Sequence, residues 1–180
     1  KHKYWQPIKE RAMVIRTTRP GDIAHLAGVE RSAAQAFARV ADLAWLADGD
    51  VLDSAAHRGF MLAECSWVAE DAQGQVLGFL CASMEVHALH VHELSVRLEA
   101  QGQGVGRRLL DHAAYVARRR GFEQLTLTTF AEVPWNAPFY ARYGFERIEE
   151  EHLSPRLRSI LASEAAHGLA GRCAMRLRVE

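Results

Sequence analysis

The residues best suited to chemistry in this sequence are the glycines of Gln101–Gly106, which read Gln-Gly-Gln-Gly-Val-Gly. Glycines let a backbone turn tightly and approach a ligand closely. The segment lies between a predicted strand and a predicted helix. The first turn of a helix offers unpaired N–H groups and the positive end of a dipole. The segment therefore predicts a site for an anion such as a phosphate or pyrophosphate.

Two arginines, Arg107 and Arg108, follow in the first turn of the predicted helix. Cations at this end oppose the helix dipole by about 0.3–1 kcal/mol each. Their placement is better explained if an anion binds between them and the N–H groups. The alternative is a glycine-rich turn beside two solvated arginines, because short glycine motifs often occur by chance.

The pattern excludes two familiar phosphate-binding motifs. A P-loop needs a Gly-Lys pair, which this sequence lacks. A dinucleotide-binding fold places its glycines after the first strand of an alternating βαβ unit. Here the glycines follow several predicted strands with no helices between them, so the order of elements is wrong for that fold.

The sequence around the glycines predicts one domain of strands and helices. Runs rich in β-branched and apolar residues predict strands at 13–18, 66–69, 76–86, 89–97, 124–129, 145–150 and 172–179. Helical periodicity with flanking Gly or Pro predicts helices that start near residue 20 and cover 31–47, 53–62, 105–120, 136–143 and 155–167. Within 31–47, the spacing predicts one buried stripe that includes Phe37 and Trp45.

The composition is that of an ordinary globular domain. Of the 180 residues, 49% are hydrophobic and 24% are charged, which is enough apolar material to bury a core. The 22 basic and 22 acidic side chains give a formal net charge of zero, so we expect no nucleic-acid partner. Because no apolar run approaches the roughly 20 residues needed to cross a bilayer, we expect no membrane partner.

The cysteines indicate the compartment. Cys65, Cys81 and Cys173 are odd in number and far apart, which favours buried thiols in a reducing cytosol over a disulfide framework. Residues 1–12 lack the apolar core of a signal peptide. We interpret them as an N-terminal extension or a cloning remnant that precedes a domain at 13–180. A cytoplasmic location is therefore expected.

The sequence resembles the GNAT superfamily of N-acetyltransferases. Gln101, Gly104 and Gly106 fill the family's Q/R-x-x-G-x-G/A motif, and Glu93–Val96 matches the E-L-x-V strand before it. The segment 136–145 resembles the family's N-x-x-x-x-x-Y-x-x-x-G-F region, with a shorter spacing between its Asn and its Tyr. The resemblance covers about 13–179. It implies a three-layer α/β fold with a mixed, mainly antiparallel sheet and helices on both faces.

The resemblance implies that acetyl-CoA is the co-substrate. It would lie in a V-shaped opening between two splayed parallel strands, here 89–97 and 124–129. The Val96 backbone would bond the pantetheine and help to polarise the thioester carbonyl, while the loop backbone would hold the pyrophosphate. The implied cofactor contacts are Leu94, Ser95, Val96, Gln101, Gly102, Gln103, Gly104, Val105, Gly106, Arg107 and Asn136.

Acetyl transfer to an amine needs a base for the amine, stabilisation of the oxyanion and a proton for the leaving thiolate. Glu93 lies just before the cofactor loop and is the base candidate, acting directly or through water. The alternative is a structural carboxylate. Tyr140 resembles the tyrosine that family members aim at the sulfur of CoA, and a phenol can protonate a leaving thiolate. Tyr143, one turn along the helix, is the competing choice. Transfer would be direct, in a ternary complex.

Two other residue types invite a ligand interpretation. His90 and His92 alternate on one predicted strand and share a face, which would suit a metal. The sequence places no third ligand beside them, and the family is metal-independent, so we expect no metal and interpret them as polar residues of the acceptor cleft or of a partly exposed strand. Trp135 lies in a loop beside the implied cofactor region and would either line the acceptor site or pack that loop.

The acceptor is expected to be a primary amine of small size. Four acidic residues precede the central strands and would suit a cationic amine or form a solvated face: Asp42, Asp48, Asp50 and Asp53. The alternative function is an acyl-CoA-binding sensor or scaffold without turnover. The family makes a homodimer possible.

Overall fold

The structure is a computed structural model that describes residues 13–179. The predicted N-terminal extension at 1–12 lies outside the described residues, as does residue 180. Within residues 13–179, no helix combines the length and apolar character needed to cross a bilayer.

Residues 13–179 form seven strands and five α-helices. The strands are β1 (Val14–Thr17), β2 (Ser66–Glu70), β3 (Val76–Met84), β4 (Ala88–Val96), β5 (Gln124–Phe130), β6 (Glu146–Arg147) and β7 (Arg172–Arg178). The helices are α1 (Ile23–Ala34), α2 (Ser54–Leu62), α3 (Val105–Arg119), α4 (Ala137–Tyr143) and α5 (Pro155–Ala166). Short 3₁₀ segments lie at Pro20–Asp22, Gln35–Arg39, Ala41–Asp48, Leu98–Ala100 and Glu150–His152.

The strand order is β1-β2-β3-β4-β5-β7-β6. The pairs β1/β2, β2/β3, β5/β7 and β6/β7 are antiparallel, whereas β4 and β5 are parallel. The predicted fold class, an α/β fold with a mixed and mainly antiparallel sheet, is confirmed. The chain divides into two compact units. Among the described residues, the first unit holds 13–82 with Glu93–His112, and the second holds Ser83–His92 with 113–179.

The core of the first unit forms where α1 and α2 cover the antiparallel strands. Apolar residues recur three apart along α1, at Ile23, Leu26 and Val29, and all three are buried. Leu26 and Val29 pack in one cluster with Val68, Val76, Phe79 and Cys81, against which Leu52 and Phe60 also pack. The helix α2 begins after Asp53, whose carboxylate accepts from the N–H of Ala56 at 2.8 Å.

The prediction of one continuous helix at 31–47 is wrong, because only its first residues are α-helical. The helix α1 ends at Ala34 and the chain continues as 3₁₀ turns that break at Val40, which is extended at φ −109° and ψ 109°. Because a 3₁₀ segment has three residues per turn instead of 3.6, the spacing that predicted one buried stripe does not hold there. Trp45 is 52% exposed and does not belong to the core.

The second unit is built on β5. Residues Ala88–His90 of β4 pair in parallel with Gln124–Thr126. The strand β7 pairs with all of β5, from Gln124 opposite Arg178 to Phe130 opposite Arg172. The helix α5 covers this sheet through Leu157, which packs with Ile148 and Ala174. The strand predicted at 145–150 is shorter than expected, because only Glu146–Arg147 pairs as a strand before the chain turns at Glu150.

Candidate active site

The glycine loop has the conformation that its sequence predicts. Gly102 and Gly104 have φ of +74° and +85°, the left-handed region that side-chain-bearing residues rarely adopt. A Cβ on either glycine would meet no atom within 4 Å. The requirement for glycine here is therefore conformational, and Gly102, Gln103 and Gly104 are all exposed residues.

The loop is tied to the end of β4 by its own side chains. The Gln101 side-chain amide donates to the Val96 carbonyl at 3.0 Å, and the Gln103 amide donates to the Glu99 carbonyl at 3.2 Å. The Gln101 side chain therefore holds the loop in place. Leu94 and Val96 are half-buried on β4, and the Ser95 side chain between them is buried.

The helix α3 begins directly at the loop. The Arg108 N–H donates to the Gly104 carbonyl at 3.1 Å, which leaves the N–H groups of Val105, Gly106 and Arg107 at the open end of the helix. Val105 is buried, Gly106 is half-buried and Arg107 is exposed. This geometry supports the predicted anion site.

Arg108 does not have the position predicted for it beside the anion. Its guanidinium donates to the Met13 carbonyl at 2.7 Å, so it ties α3 to the start of β1. The sequence could not show this, because the two residues are 95 positions apart. Of the two arginines, only Arg107 stays a candidate for the phosphates.

Gly78 allows β3, β4 and α3 to approach closely. A Cβ on this residue would lie 2.8 Å from the Ser95 carbonyl oxygen and 3.3 Å from side-chain carbons of Val96 and Val105. Real Cβ atoms do not approach another atom at 2.8 Å. The absence of a side chain at Gly78 therefore sets the position of the Ser95–Val96 backbone, from which the cofactor loop departs.

Glu93 lies on β4 across from the buried Cys81. The Ser95 hydroxyl donates to its Oε1 at 3.0 Å, and the Glu93 side chain is half-buried. Burial raises the pKa of the Cys81 thiol well above its usual value, and the carboxylates of Glu93 and Glu30 raise this pKa further.

Glu30 is a residue that the sequence interpretation missed. It follows Val29 on α1, and its Oε1 accepts from the Leu52 N–H at 3.0 Å. Burial raises the pKa of the Glu30 carboxyl, while the Leu52 bond and nearby Arg31 lower it. The available signal was its position four residues after Leu26, where a carboxylate adjoins the buried stripe of α1.

The four aspartates proposed to face an amine do not form a cluster of buried acids. All four are exposed, and the Asp53 side chain caps α2. The structure therefore favours the solvated-face interpretation for them.

His90 lies on β4 in the second unit, and its burial does not fit the interpretation of a partly exposed strand for this residue. It is buried, and its Nδ1 lies 2.8 Å from the Thr126 hydroxyl at the last paired position of β4 and β5. Burial lowers the pKa of its imidazole to about 4, so the ring is neutral at pH 7. The His92 residue is exposed overall, but loss of hydration lowers the pKa of its imidazole as well. Among residues 13–179, no three His, Cys, Asp or Glu side chains are grouped to hold a metal.

Tyr140, on α4, packs against two other aromatic side chains. It is 8% exposed, and its ring meets those of Phe139 and Phe145 edge-to-face at centroid distances of 5.2 and 5.5 Å. Tyr143 is half-buried, with its ring 5.9 Å from that of Phe145. The Asn136 carbonyl accepts from the Tyr140 N–H at 3.0 Å, so this asparagine begins the helix through its main chain.

Asn136 and Trp135 lie together at the start of α4. The Asn136 side-chain amide donates to the Trp135 carbonyl at 3.2 Å and does not cap the helix. The Trp135 ring is half-buried in the loop that leads into α4. The predicted cofactor contact of Asn136 and the predicted acceptor contact of Trp135 both stay predictions.

The described residues thus combine a loop with two left-handed glycines, the start of α3 and a mixed sheet in which β4 and β5 are parallel. The sequence model of the family described as "Acetyltransferase (GNAT) domain" matches residues 63–147, which include the glycine loop, Glu93 and Tyr140. Residues 63–147, slightly under half of the chain, are therefore similar to a GNAT acetyltransferase domain.

Individual proteins are similar to parts of this chain as well. An uncharacterized N-acetyltransferase of Methanocaldococcus jannaschii is 28% identical over 91 residues, which are 51% of this chain and 35% of that protein. N-acetylglutamate synthase from Neisseria gonorrhoeae, solved with coenzyme A and N-acetyl-glutamate, has a TM-score of 0.70 at 19% identity, over 93% of this chain and 35% of that one. A GNAT family acetyltransferase from Brucella melitensis, solved with acetyl-CoA, has a TM-score of 0.55 at 25% identity, over 74% and 82% of the two chains. This chain thus spans about a third of the length of the first two.

Proposed function

We propose that this chain transfers the acetyl group of acetyl-CoA to a primary amine. The observation that carries the proposal is the pair of left-handed glycines, Gly102 and Gly104, immediately before α3 and within the matched family segment. An exposed glycine loop at the open end of a helix suits the pyrophosphate of CoA. The GNAT structure from Brucella melitensis contains acetyl-CoA, which supports the same co-substrate here.

The cofactor contacts that we propose follow the loop and the end of β4. The backbone of 94–96 would bond the pantetheine, and the Val96 main chain would help to polarise the thioester carbonyl. The backbone of 101–106 and the Arg107 guanidinium would bind the pyrophosphate. We also propose that Asn136, in the second unit, contacts the pantetheine or adenylate side. No metal is part of this proposal.

Glu93 is the proposed general base and Tyr140 the proposed general acid. The amine nitrogen attacks the thioester carbonyl carbon while Glu93 takes the amine proton, directly or through a water molecule. The C–S bond then breaks, and the leaving thiolate takes its proton from the Tyr140 hydroxyl. Transfer within a ternary complex is supported by the cysteines: Cys65, Cys81 and Cys173 are all buried, so none is accessible as an acyl-carrying nucleophile.

The acceptor that we propose is a small-molecule amine. The N-acetylglutamate synthase from Neisseria gonorrhoeae was solved with coenzyme A and N-acetyl-glutamate, and this supports an acceptor of small size. We expect no nucleic-acid or membrane partner and a cytoplasmic location. A homodimer stays a prediction that light scattering of the purified chain tests.

The test combines binding with turnover. CoA should raise the melting temperature of the chain, and incubation with acetyl-CoA and a panel of primary amines should release free CoA thiol faster than acetyl-CoA alone does. Stabilisation by CoA without turnover on a panel of small amines, polyamines, amino acids, aminoglycosides and peptides would favour the sensor or scaffold alternative. If CoA gave no stabilisation, both the acetyltransferase and the sensor would be wrong.

A further inference from the structure

A buried hydroxyl lies beside the proposed base. Ser95 is 3% exposed, and its hydroxyl donates to the Glu93 Oε1 at 3.0 Å. The two residues are two apart on β4, so their side chains share one face of the strand. An ionised carboxylate has only acceptor oxygens, which makes the hydroxyl the donor in this bond. The main chain of Ser95 belongs to the proposed CoA site, whereas the proposed function gives its side chain no role.

We propose that Ser95 is a positioning residue for the proposed acetyl transfer, whose hydroxyl holds the Glu93 carboxylate in one orientation and favours its ionised form. The proposal rests on the proposed function, because it assumes that Glu93 is the base.

The hydroxyl is presented from a strand whose position is fixed. A Cβ on Gly78 of β3 would lie 2.8 Å from the Ser95 carbonyl oxygen, so the Ser95 backbone lies directly against β3. Two residues further on, the Arg97 N–H donates to the Leu77 carbonyl at 2.8 Å. A glutamate side chain has several rotatable bonds, and a hydrogen bond to a fixed donor restricts them. The Ser95 hydroxyl therefore sets the direction in which the Glu93 carboxylate points.

The same bond favours the charged form of Glu93. A hydrogen bond donated to an ionised carboxylate stabilises it relative to the neutral acid. Across from Glu93, β3 presents Cys81, whose thiol stays neutral because burial raises its pKa, and Glu30 of α1 acts on the same thiol. His92, the residue before Glu93, is neutral at pH 7 because loss of hydration lowers its pKa. None of these groups is altered when the Ser95 hydroxyl is removed.

The two effects of the bond act on the rate in opposite directions. Without the hydroxyl, Glu93 is a stronger base, and a base that is stronger by about one pH unit gains at most about tenfold in rate. A carboxylate that is displaced by about 1 Å loses about 100-fold. Misplacement therefore outweighs the gain in basicity, and the net result is a fall of about tenfold.

Two substitutions test the hydroxyl, and a third is the matched control. Ser95→Ala removes the hydroxyl, whereas Ser95→Thr keeps it on the same Cβ. Ser66→Ala removes another buried serine hydroxyl of the first unit, which lies 2.7 Å from the Thr18 hydroxyl. Ser66 is on β2, which β3 separates from β4. The side-chain carboxyl of Glu93 is followed by carbon NMR during a pH titration and is assigned with Glu93→Gln.

We expect the titration of Glu93 to move to higher pH in Ser95→Ala, by about one pH unit. The acidic limb of the kcat/KM profile should move the same way, and kcat with the best amine of the panel should fall about tenfold. The KM for the amine and the affinity for CoA should stay near their wild-type values. Ser95→Thr should restore the titration and most of kcat, and Ser66→Ala should leave both unchanged.

A Glu93 titration that is the same in wild type and Ser95→Ala overturns the proposal. An equal movement in Ser66→Ala overturns it too, because the loss of any buried hydroxyl would then have this effect. A moved titration without a fall in kcat overturns the positioning role, because the bond would not serve the reaction. If Glu93 responds to Ser95 and wild type acetylates no amine, the proposed function fails, while the effect of the hydroxyl on the carboxylate is supported.

Discussion

Gly78 provides the most direct test of how the first unit positions the end of β4. A Cβ on Gly78 would lie 2.8 Å from the Ser95 carbonyl oxygen. Because C···O contacts in proteins normally lie at about 3.3–3.6 Å, that carbonyl must retreat by about 0.5 Å or more in Gly78→Ala. The side chains of Val96 and Val105, at 3.3 Å, restrict this movement. We expect the variant to lose about 1–3 kcal/mol of unfolding free energy, the usual cost of overpacking.

Urea unfolding at pH 7 measures the effect, with Gly28→Ala as the control. Gly28 lies within α1, and a Cβ there meets no atom within 4 Å. Alanine in place of glycine inside a helix should therefore raise the unfolding free energy, by about 0.5–1 kcal/mol. Both variants add one methyl group, so the opposite signs isolate the contact at Gly78.

The same variant tests the link between packing and the cofactor. Ser95 and Val96 are proposed to bond CoA through their main chain, so a shifted Ser95 carbonyl should weaken CoA binding in Gly78→Ala and leave it unchanged in Gly28→Ala. Calorimetric titration with CoA measures both. A Gly78→Ala variant as stable as wild type and with undiminished CoA affinity would refute the reasoning.

Other substitutions test the rest of the account. Arg107→Ala should weaken CoA binding in calorimetry, whereas Arg108→Ala should leave CoA binding unchanged. Because the Arg108 guanidinium bonds a main-chain carbonyl, Arg108→Ala should instead lower the unfolding free energy by about 1–2 kcal/mol. Equal losses of CoA affinity in the two variants would contradict these different roles. Because burial holds the pKa of His90 at about 4, below its ordinary 6.5, the unfolded chain binds more protons between these values. The unfolding free energy should therefore fall as the pH drops from 6.5 to 4, by up to about 3 kcal/mol, and His90→Asn should lose most of that dependence in urea titrations at several pH values. Tyr140→Phe keeps the ring packing and removes the hydroxyl, so the rate of acetyl transfer should fall by about 100-fold with little change in stability. The rate of Tyr143→Phe should stay near that of wild type. The reverse ranking of these two rates would show that the general acid is misassigned.

The sequence was sufficient where a local pattern has one physical solution. Glycines before an amphipathic helix predict left-handed turns and an open helix end, and Gly102 and Gly104 adopt those conformations. The apolar runs of β2 and β3 and the periodic stripe of α3 likewise predict their elements to within a few residues. Each of these depends on residues that are close together in the chain.

Where the sequence failed, the deciding contact was distant. Arg108 bonds Met13 across 95 positions, and Glu30 bonds Leu52 across 22, so neither partner could be read from local spacing. The 31–47 segment failed for another reason. Its apolar spacing suits an α-helix, but the extended backbone of Val40 interrupts it and Trp45 remains in solvent.

The central claim is that an acetyl group passes directly from acetyl-CoA to an amine on this chain. The most direct measurement is mass spectrometry of a quenched reaction with carbon-labelled acetyl-CoA and the best amine of the panel. The account predicts labelled acetyl-amine and free CoA in equal amounts, no label on the protein at any time, and loss of the product in Glu93→Gln. Release of CoA without acetylated amine, or a labelled acetyl group on the protein before the product forms, would contradict it.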